Sequence, residues 1–358
     1  MLKKTELNIA HILDDAKMVD FAGWNMPLHY KNGIISEVKT VRNSVGMFDV
    51  SHMGRIKFHK DKSIDILDKL ISINIDKLQD GKCKYNLICN ESGGIIDDAI
   101  ISNLNDEIYL VVNAINSKKV INWFYKYGAN NTNMKVITNE SSMIALQGPD
   151  TFKILNIISD KEIILPKFGI LKIQLKDINC LISATGYTGE NGVEIITNNK
   201  DINKLWNLLI KNNVNPCGLA SRDILRIEAG LPLYGNELNE KITPLEAGLQ
   251  KFANTNSKNY IVDQKFRNYS PIKRLVGIKL IEKGIPRKNQ TLLDINSNKV
   301  IGEVSSGTFS PTLNCGIGLA YIKIKQLPEN NALFVDIRGK KTKAMLVDLP
   351  FTNSKALE

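Results

Sequence analysis

The sequence has few of the residues that build metal centres and disulfide frameworks. Five cysteines and four histidines are scattered through 358 residues, with no Cys-x-x-Cys and no His-Glu-x-x-His spacing. An odd number of widely spaced cysteines is typical of free thiols in a reducing compartment. We therefore expect a cytoplasmic protein that holds no metal.

Long hydrophobic runs are also missing. The first residues, MLKKTELNIAHILDD, lack the apolar segment of a signal peptide. The longest stretch without charge, residues 304–322, is interrupted by serines, a proline and an asparagine. Such a stretch cannot cross a bilayer as a helix. We expect no association with a membrane.

Arginine is scarce, although the chain is basic. The formal net charge is +10, but only eight of the 47 basic residues are arginines. Arginine is the side chain that binds phosphates and base edges through two parallel hydrogen bonds. The excess of lysine therefore does not indicate a nucleic-acid surface, and we expect no nucleic-acid partner. A non-catalytic basic binding protein, retained on nucleic acid in a salt-dependent way, is the opposing interpretation.

The apolar pattern predicts an α+β chain with antiparallel strand pairs. Lysine-rich residues 251–273 are typical of a linker or extension, and from residue 274 short strands predict a separate all-β module of about 85 residues. Helices are expected in 33–48, 63–71, 117–127, 201–211 and 219–230, and strands in 55–59, 84–90, 95–102, 107–113, 143–147, 169–184 and 193–197.

Two adjacent carboxylates, Asp97 and Asp98, interrupt the apolar strand IIDDAII. Because side chains alternate along a strand, these two should point to opposite faces. One then points inward, where an unpaired carboxylate is costly unless it has a partner or a chemical task. The alternative is that both lie in solvent at the end of the strand.

A second group of polar residues surrounds the loop Gly186-Tyr187-Thr188-Gly189-Glu190. Its glycines allow the backbone to approach a ligand, although the pattern is also that of an ordinary turn. Glu194 follows on a strand, where a carboxylate can accept two parallel hydrogen bonds from a ligand edge. The alternative for Glu194 is a position facing solvent.

Two of the eight arginines, Arg222 and Arg226, lie one turn apart in a helix that opens with Ser221 as a candidate N-cap and with Asp223. This spacing fits either an arginine pair for a ligand carboxylate or a surface salt-bridge cluster. Ser51 and His52 are neighbours without a nucleophile elbow, which argues against a hydrolytic triad.

Together these motifs resemble one family. The segments VRNSVGMFDVSHMG, GGIIDDAI, TGYTGENGVEI, GLASRDILRIEAGLPLYGNEL and SSGTFSPTL are similar to those of the glycine cleavage T-proteins, the tetrahydrofolate-dependent aminomethyltransferases. The resemblance runs from about residue 5 to about residue 352, in order and without large gaps. It implies a cloverleaf of three domains with folate in a central opening.

The resemblance also implies domain boundaries. Two ferredoxin-like α+β domains share residues 1–272, one from 1–50 with 140–272 and the other from 51–139, and a small β-barrel occupies 273–358. The implied partner is a lipoylated H-protein, whose dihydrolipoyl arm presents an aminomethyl group. The folate N5 attacks the methylene, ammonia leaves, and 5,10-methylenetetrahydrofolate forms. We expect a monomer.

The family's functional positions transfer residue by residue. Asp98 matches the essential carboxylate, Glu194 the acceptor for the pterin ring, and Arg222 the anchor of the folate tail. Asp97 matches a position without a catalytic role. The remaining folate-lining positions correspond to Tyr85, Tyr187, Met53, Val112 and Asn113.

The sequence departs from the family pattern at Ala184, where an arginine is frequent, and it has no tyrosine near its end. Folate-dependent demethylases share the fold, but the amine-oxidising ones carry an additional flavin domain. The folate-binding protein of iron–sulphur assembly usually has a cysteine in the motif that corresponds to Gly186–Glu190 here. The resemblance therefore favours the aminomethyltransferase, with a demethylase as the alternative.

Overall fold

The computed structural model describes residues 1–253, 260–262, 266 and 269–352. Three β-structures organise these residues: a six-stranded sheet, a five-stranded sheet and a closed barrel, with a two-stranded hairpin near the start. The α+β class and the carboxyl-terminal barrel are thereby confirmed. We propose that each of the three is the core of one domain, with the boundaries predicted from the sequence.

The helices are α1 Asn8–Leu13, α2 Ile34–Asn43, α3 Ile64–Leu70, α4 Ser117–Lys126, α5 Thr151–Ile158, α6 Asn199–Lys211, α7 Leu219–Glu228 and α8 Gln250–Ala253. The strands before the barrel are β1 Lys17–Phe21, β2 Trp24–His29, β3 Gly46–Asp49, β4 Gly54–His59, β5 Lys82–Cys89, β6 Ile95–Leu104, β7 Glu107–Val112, β8 Met134–Val136, β9 Ser141–Gln147, β10 Ile170–Leu175, β11 Ile178–Ser183, β12 Gly192–Asn198 and β13 Asn215–Pro216. The barrel strands are β14 Lys273–Leu280, β15 Thr291–Asp294, β16 Val300–Ser310, β17 Cys315–Lys323, β18 Ala332–Ile337 and β19 Lys340–Val347.

The six-stranded sheet has the order β10-β11-β12-β9-β3-β13 and is antiparallel except where β13 joins β3. Helix α6 covers it because its apolar residues fall at helical spacing, at Ile202, Leu205, Trp206 and Leu209. All four side chains are buried against the sheet. Each such burial contributes roughly 1.5–3 kcal/mol.

The five-stranded sheet has the order β5-β6-β7-β4-β8 and is entirely antiparallel. Leu67 and Leu70 of α3, with Val120 and Phe124 of α4, are buried in its core. The barrel closes in the order β14-β17-β16-β15-β18-β19. A closed barrel leaves no strand edge exposed for pairing with another chain.

A buried ion pair between Arg42 and Glu228 joins α2 to α7. The Arg42 Nε and Nη2 groups donate to one Glu228 oxygen at 3.1 and 2.7 Å, and Nη1 donates to Glu190 at 2.7 Å. The hydroxyls of Ser310, at the end of β16, and Thr312, in the turn that follows, donate to the same Glu228 carboxylate at 2.5 and 3.0 Å. This cluster connects the six-stranded sheet, α7 and the barrel.

Residues 231–249 lie between the five-stranded sheet and the barrel. The backbone N–H of Ile95 donates to two carbonyls of this segment, and the Tyr321 hydroxyl donates to the carbonyl of Glu237 at 2.8 Å. A Cβ at Gly94 would stand 1.8 Å from a carbonyl oxygen of the segment. Only glycine therefore permits β6 to begin at this distance.

The stretch 251–273, predicted to be a linker or extension, is packed in part, although Lys251, Ser270 and Ile272 are exposed. Tyr260 and Val262 are buried together with Leu87 and Ile95 of the five-stranded sheet. Composition alone missed this because a few apolar side chains stand among many polar ones. Residues 254–259, 263–265 and 267–268 of this stretch lie outside the described residues. No described helix is both long and apolar enough to cross a membrane.

Asp49, at the end of β3, is held by a fully buried hydrogen-bond network. Its carboxylate accepts from the Thr5 hydroxyl at 2.7 Å, from His11 Nε2 at 3.0 Å and from the Ser51 backbone N–H at 2.9 Å. His11 Nδ1 in turn accepts from the Tyr30 hydroxyl. Burial by itself raises the pKa of Asp49, but these hydrogen bonds outweigh it and lower the pKa to about 2.

We predict that Asp49→Asn lowers the free energy of unfolding at pH 7 by about 3–5 kcal/mol, the usual cost of breaking a buried pair. The ionised carboxylate stabilises the fold fully above its unfolded pKa of 3.8, and this contribution is lost as pH falls towards 2. The difference from the parent should therefore shrink in acid. Urea denaturation at pH 7 and pH 3 measures it. Equal stability of Asp49→Asn and the exposed control Asp20→Asn at pH 7 would contradict the prediction.

Candidate active site

Asp97 and Asp98 of β6 converge on one amide group. Asn113, directly after β7, donates from Nδ2 to Asp97 Oδ1 and to Asp98 Oδ1, each at 2.8 Å. The Tyr85 hydroxyl donates to Asp98 Oδ2 at 3.1 Å. Strand alternation predicts that the carboxylates point apart, and the amide of Asn113, beyond the end of β7, nevertheless reaches both. Asp97 is fully buried, whereas Asp98 is partly exposed and accessible to a ligand.

The protein environment of Asp98 stabilises its protonated form relative to an aspartate in water. Burial raises the pKa of Asp98 to about 6, although hydrogen bonds from Tyr85 and Asn113 favour the ionised carboxylate. Burial also raises the pKa of Asp97, and repulsion by Asp98 adds to this effect. A carboxyl group with a pKa near 6 can exchange a proton or stabilise positive charge close to neutral pH.

Arg222 of α7 presents a cation with an unused hydrogen-bond donor. Its guanidinium carbon lies 5.1 Å from the ring centre of Tyr187 and 5.9 Å from that of Phe48. Its Nη1 is buried and has no hydrogen-bond partner among the described residues. Burial lowers the pKa of Arg222. A buried donor without an acceptor is costly in a folded protein, and a ligand carboxylate would satisfy it.

Arg226, considered with Arg222 as a ligand-binding pair, is used by the fold instead. It donates from Nε to Asp223, from Nη1 to Glu237, each at 2.9 Å, and from Nη2 to the Ser306 hydroxyl at 2.7 Å. All three of its nitrogens thus donate to protein groups, and of the pair Arg222 remains for a ligand.

The predicted N-cap of this helix is also wrong. α7 begins at Leu219 with Gly218 as its N-cap, and Ser221 lies inside the helix, where its hydroxyl donates to the Gly218 carbonyl at 2.8 Å. The sequence offered Ser221 as the usual capping residue type, but Gly218 occupies that position.

Glu194 of β12 is buried rather than turned to solvent, with 9% of its surface exposed. The Thr185 hydroxyl donates to its Oε2 at 2.6 Å. Its Oε1 receives no hydrogen bond from the described residues. One carboxylate oxygen is therefore fixed by the protein, and the other can accept from a ligand N–H group.

Gly186 of the loop and Gly192 at the start of β12 serve packing. A Cβ at Gly186 would stand 2.0 Å from the amide oxygen of Gln147, and a Cβ at Gly192 would stand 2.4 Å from the amide nitrogen. The buried Gln147 donates to the Thr185 carbonyl and accepts from the Thr188 hydroxyl. These contacts fix the loop, and they explain Gly186 and Gly192 without a ligand.

Six of the eight predicted residues gather where the two sheets and α7 meet, with Asn113 among them through its hydrogen bond to Asp98. Tyr187 stacks against Arg222, and Tyr85 binds Asp98. Burial raises the pKa of Tyr187, and the charge of Asp98 contributes to this rise. The charge of Glu194 raises the pKa of Arg222 and so partly opposes the lowering caused by burial. Two carboxylates, a cation and two phenols thus share one electrostatic environment.

The two remaining predicted residues differ in exposure. Met53 is partly exposed and packs on the apolar cluster that contains Phe48, which lies under Arg222. Val112 is fully buried in the core of the five-stranded sheet. Its side chain has no surface to offer a ligand, so only its backbone can line the site.

Sequence reasoning missed Asn116, Phe48 and Gln147. The Asn116 Nδ2 group donates to Asp97 Oδ1 at 2.7 Å. The spacing of Asn113 and Asn116 after an apolar strand is the one signal that could have indicated a pair of amide donors. For Phe48 and Gln147, which act through packing, no sequence signal exists.

A separate groove of about 550 Å³ lies between β8, β10 and β12 and is lined by Lys57, Lys135 and Lys172. Glu107 pairs with Lys57 and Lys172, and Glu140 pairs with Lys135. Because its cations already have partners, this groove suits an anionic ligand less well than Arg222 does.

Profiles of two protein families together match most of the chain. The GCVT N-terminal domain matches residues 7–257, and the glycine cleavage T-protein C-terminal barrel domain matches residues 273–353. Both matches follow the division between the two sheets and the barrel.

Individual relatives agree with these families. An aminomethyltransferase of Aquifex aeolicus is 42% identical over 99% of this chain and 97% of its own length. One from Natranaerobius thermophilus is 39% identical over 98% of each chain. The crystal structure of glycine cleavage system aminomethyltransferase T from Bartonella henselae is 31% identical and covers 99% of both chains with a TM-score of 0.91. This chain therefore belongs to the glycine cleavage T-protein family.

Proposed function

We infer that this chain is the aminomethyltransferase of a glycine cleavage system. It transfers a methylene carbon from the aminomethyl-dihydrolipoyl arm of an H-protein to tetrahydrofolate, with release of ammonia. The observation that carries this inference is the combination of a partly exposed carboxylate, Asp98, and an unsatisfied buried cation, Arg222, in a member of this family.

The polar groups left without partners fit the two ends of a folate. The free Nη1 of Arg222 suits the anionic glutamate tail, which matches a guanidinium in charge and shape. The free Oε1 of Glu194 suits the N–H edge of the pterin ring. Tyr187 and Met53 supply flat and apolar surface between these ends, and Tyr85 and Asn113 surround Asp98.

The protein's contribution is to position groups and to stabilise charge. Tetrahydrofolate, when bound, supplies the amine nitrogen that attacks the methylene carbon, so no nucleophile of the chain is needed. Asp98 faces the ligand as a carboxylate that stabilises positive charge on that nitrogen or accepts its proton. Tyr85 and Asn113 hold one Asp98 oxygen each, so the carboxylate reorients little during the reaction.

The partner is a lipoylated H-protein, and the enzyme acts as a monomer in the cytoplasm. The free cysteines among the described residues are consistent with a reducing compartment. The alternative is a related folate-dependent demethylase. Ammonia release that requires both lipoylated H-protein and tetrahydrofolate supports the aminomethyltransferase, whereas turnover of a methylated amine without H-protein supports the demethylase.

Asp98→Asn should reduce turnover by about 10²–10⁴-fold, because the amide can neither carry the charge nor accept the proton. Binding of tetrahydrofolate should change by less than about threefold, since the amide keeps the shape of the carboxylate. A coupled assay with lipoylated H-protein and a fluorescence titration measure the two quantities. Near-parent activity in Asp98→Asn would refute the role of Asp98, and Asp106→Asn, exposed in the turn between β6 and β7, serves as control.

Turnover should rise with pH through an apparent pKa near 6, because the ionised form of Asp98 is the active one. The Tyr85 hydroxyl favours that ionised form, so Tyr85→Phe should shift the acid limb of the pH profile upward by roughly 0.5–1 unit. Tyr109→Phe removes a hydroxyl bound to Glu107 elsewhere and should leave the limb in place. An unshifted limb in Tyr85→Phe would contradict this assignment.

Arg222→Met should weaken binding of tetrahydrofolate roughly 10- to 100-fold, because the tail loses a charged hydrogen bond worth about 1.5–3 kcal/mol. The same variant should raise the melting temperature of the ligand-free protein by about 2–4 °C, since a costly buried cation is replaced by an apolar chain of similar length. The exposed Arg287→Met should do neither. An unchanged dissociation constant would exclude Arg222 as the tail anchor.

A further inference from the structure

Asp97 has more hydrogen bonds than a residue with only a packing role requires. Its Oδ2 accepts the backbone N–H of Asn113 at 2.9 Å, and its Oδ1 accepts the side-chain amides of Asn113 at 2.8 Å and Asn116 at 2.7 Å. The side chain is completely buried next to a second carboxylate. Two neighbouring buried carboxylates repel each other, so this arrangement is costly unless it does something for Asp98.

We propose that Asp97 is a positioning residue, which orients the side-chain amide of Asn113 and through it fixes the carboxylate of Asp98. This inference rests on the function proposed for Asp98. It also revises the expectation from sequence that Asp97 has no part in the reaction.

The argument starts from the two N–H bonds of the Asn113 Nδ2 group. Such a group has two hydrogens, and here one is directed at the Asp97 carboxylate and the other at Asp98, whose carboxylate and backbone carbonyl accept at 2.8 and 3.2 Å. The backbone N–H of Asn113 binds the second oxygen of Asp97, so the Asp97 carboxylate holds both the backbone and one side-chain hydrogen of this residue. The amide plane is therefore set by Asp97 before any ligand binds.

Without Asp97 the amide could turn over and place its oxygen against Asp98. An oxygen facing a carboxylate is repulsive, whereas the nitrogen donates a hydrogen bond. Asp97 excludes the turned orientation because the Asn113 oxygen would then face the Asp97 carboxylate as well. The Asn113 oxygen is instead left unbound by described residues and free for a ligand N–H group.

The first test uses the ligand-free protein and needs no turnover. Both Nδ2 hydrogens of Asn113 should exchange slowly with solvent and resonate downfield in an NMR spectrum of side-chain amides, assigned by their loss in Asn113→Ala. Rapid exchange of either hydrogen would overturn the proposal. In Asp97→Asn, the two hydrogens should lose their protection by at least tenfold, and unchanged signals would likewise overturn it.

The second test is a double-mutant cycle on turnover in the coupled assay with lipoylated H-protein and saturating tetrahydrofolate. We expect Asp97→Asn and Asn113→Ala each to lower kcat roughly 10- to 100-fold. Combining them should lower kcat by less than a further threefold, because Asp97 acts through Asn113. Effects that multiply would show that Asp97 acts independently, and the proposal would be wrong.

Asp68→Asn is the matched control for the loss of a buried carboxylate. Asp68 is buried in α3, which packs on the same five-stranded sheet. Its carboxylate accepts a hydrogen bond from the Ile75 backbone and makes no hydrogen bond with Asn113. It should leave the Asn113 signals and kcat within twofold of the parent. If Asp68→Asn lowers kcat as much as Asp97→Asn does, the effect is general destabilisation and the proposal fails.

The two tests also separate this inference from the proposed function. If the parent shows no transfer from H-protein to tetrahydrofolate but the Asn113 signals behave as described, the proposed function is wrong and the positioning of Asp98 stands. If transfer occurs and the Asn113 signals do not respond to Asp97→Asn, the function stands and the positioning role is wrong.

Discussion

The buried contact between Arg42 and Glu228 is the interaction on which the arrangement of the site depends. Glu228 ends α7, the helix that carries Arg222, and it is held at once from α2 and from the barrel turn by Ser310 and Thr312. A buried ion pair contributes little net stability by itself, because both charges lose their hydration. The ion pair matters here for geometry. The guanidinium of Arg42 and the two hydroxyls hold the Glu228 carboxylate in a single position, and this fixes the end of α7.

Buried polar groups that only support the fold have hydrogen-bond partners in the protein, whereas those of the candidate active site keep unused donors or acceptors. Asp49 and Arg226 are surrounded by protein partners, and Asp49 has a lowered pKa as a result. Arg222 keeps an unused donor, Glu194 a free oxygen, and Asp98 a raised pKa. A buried polar group without a hydrogen-bond partner lowers stability, and a fold tolerates such a group where a ligand supplies the missing partner. Their concentration in one region is the physical argument for a binding site there.

The fold and most of the site could be predicted because they depend on patterns that a sequence carries. Apolar spacing predicted five of the eight described helices, alternation predicted eight of the 13 strands before the barrel, and long motifs indicated Asp98, Glu194 and Arg222 as candidates. The errors concern contacts between distant segments. The sequence could not show that Arg226 binds Ser306 of the barrel, or that Asn113 reaches both carboxylates from beyond its strand. Such contacts depend on three-dimensional packing, which the local spacing of residues in the sequence does not reveal.

The same distinction explains why Asp97 looked irrelevant in the sequence and matters in the structure. Alternation along β6 separates Asp97 from Asp98, and only the amide of Asn113 reconnects them. That amide can serve as a fixed donor only if β6 and β7 keep their register. At the start of β6, the close approach at Gly94 and the hydrogen bonds from Ile95 to the segment 231–249 hold the strand in place. Because the reacting nitrogen belongs to the proposed ligand, the protein's task is to hold a carboxylate in a fixed place. A rigid strand end with one amide held between two carboxylates meets that requirement.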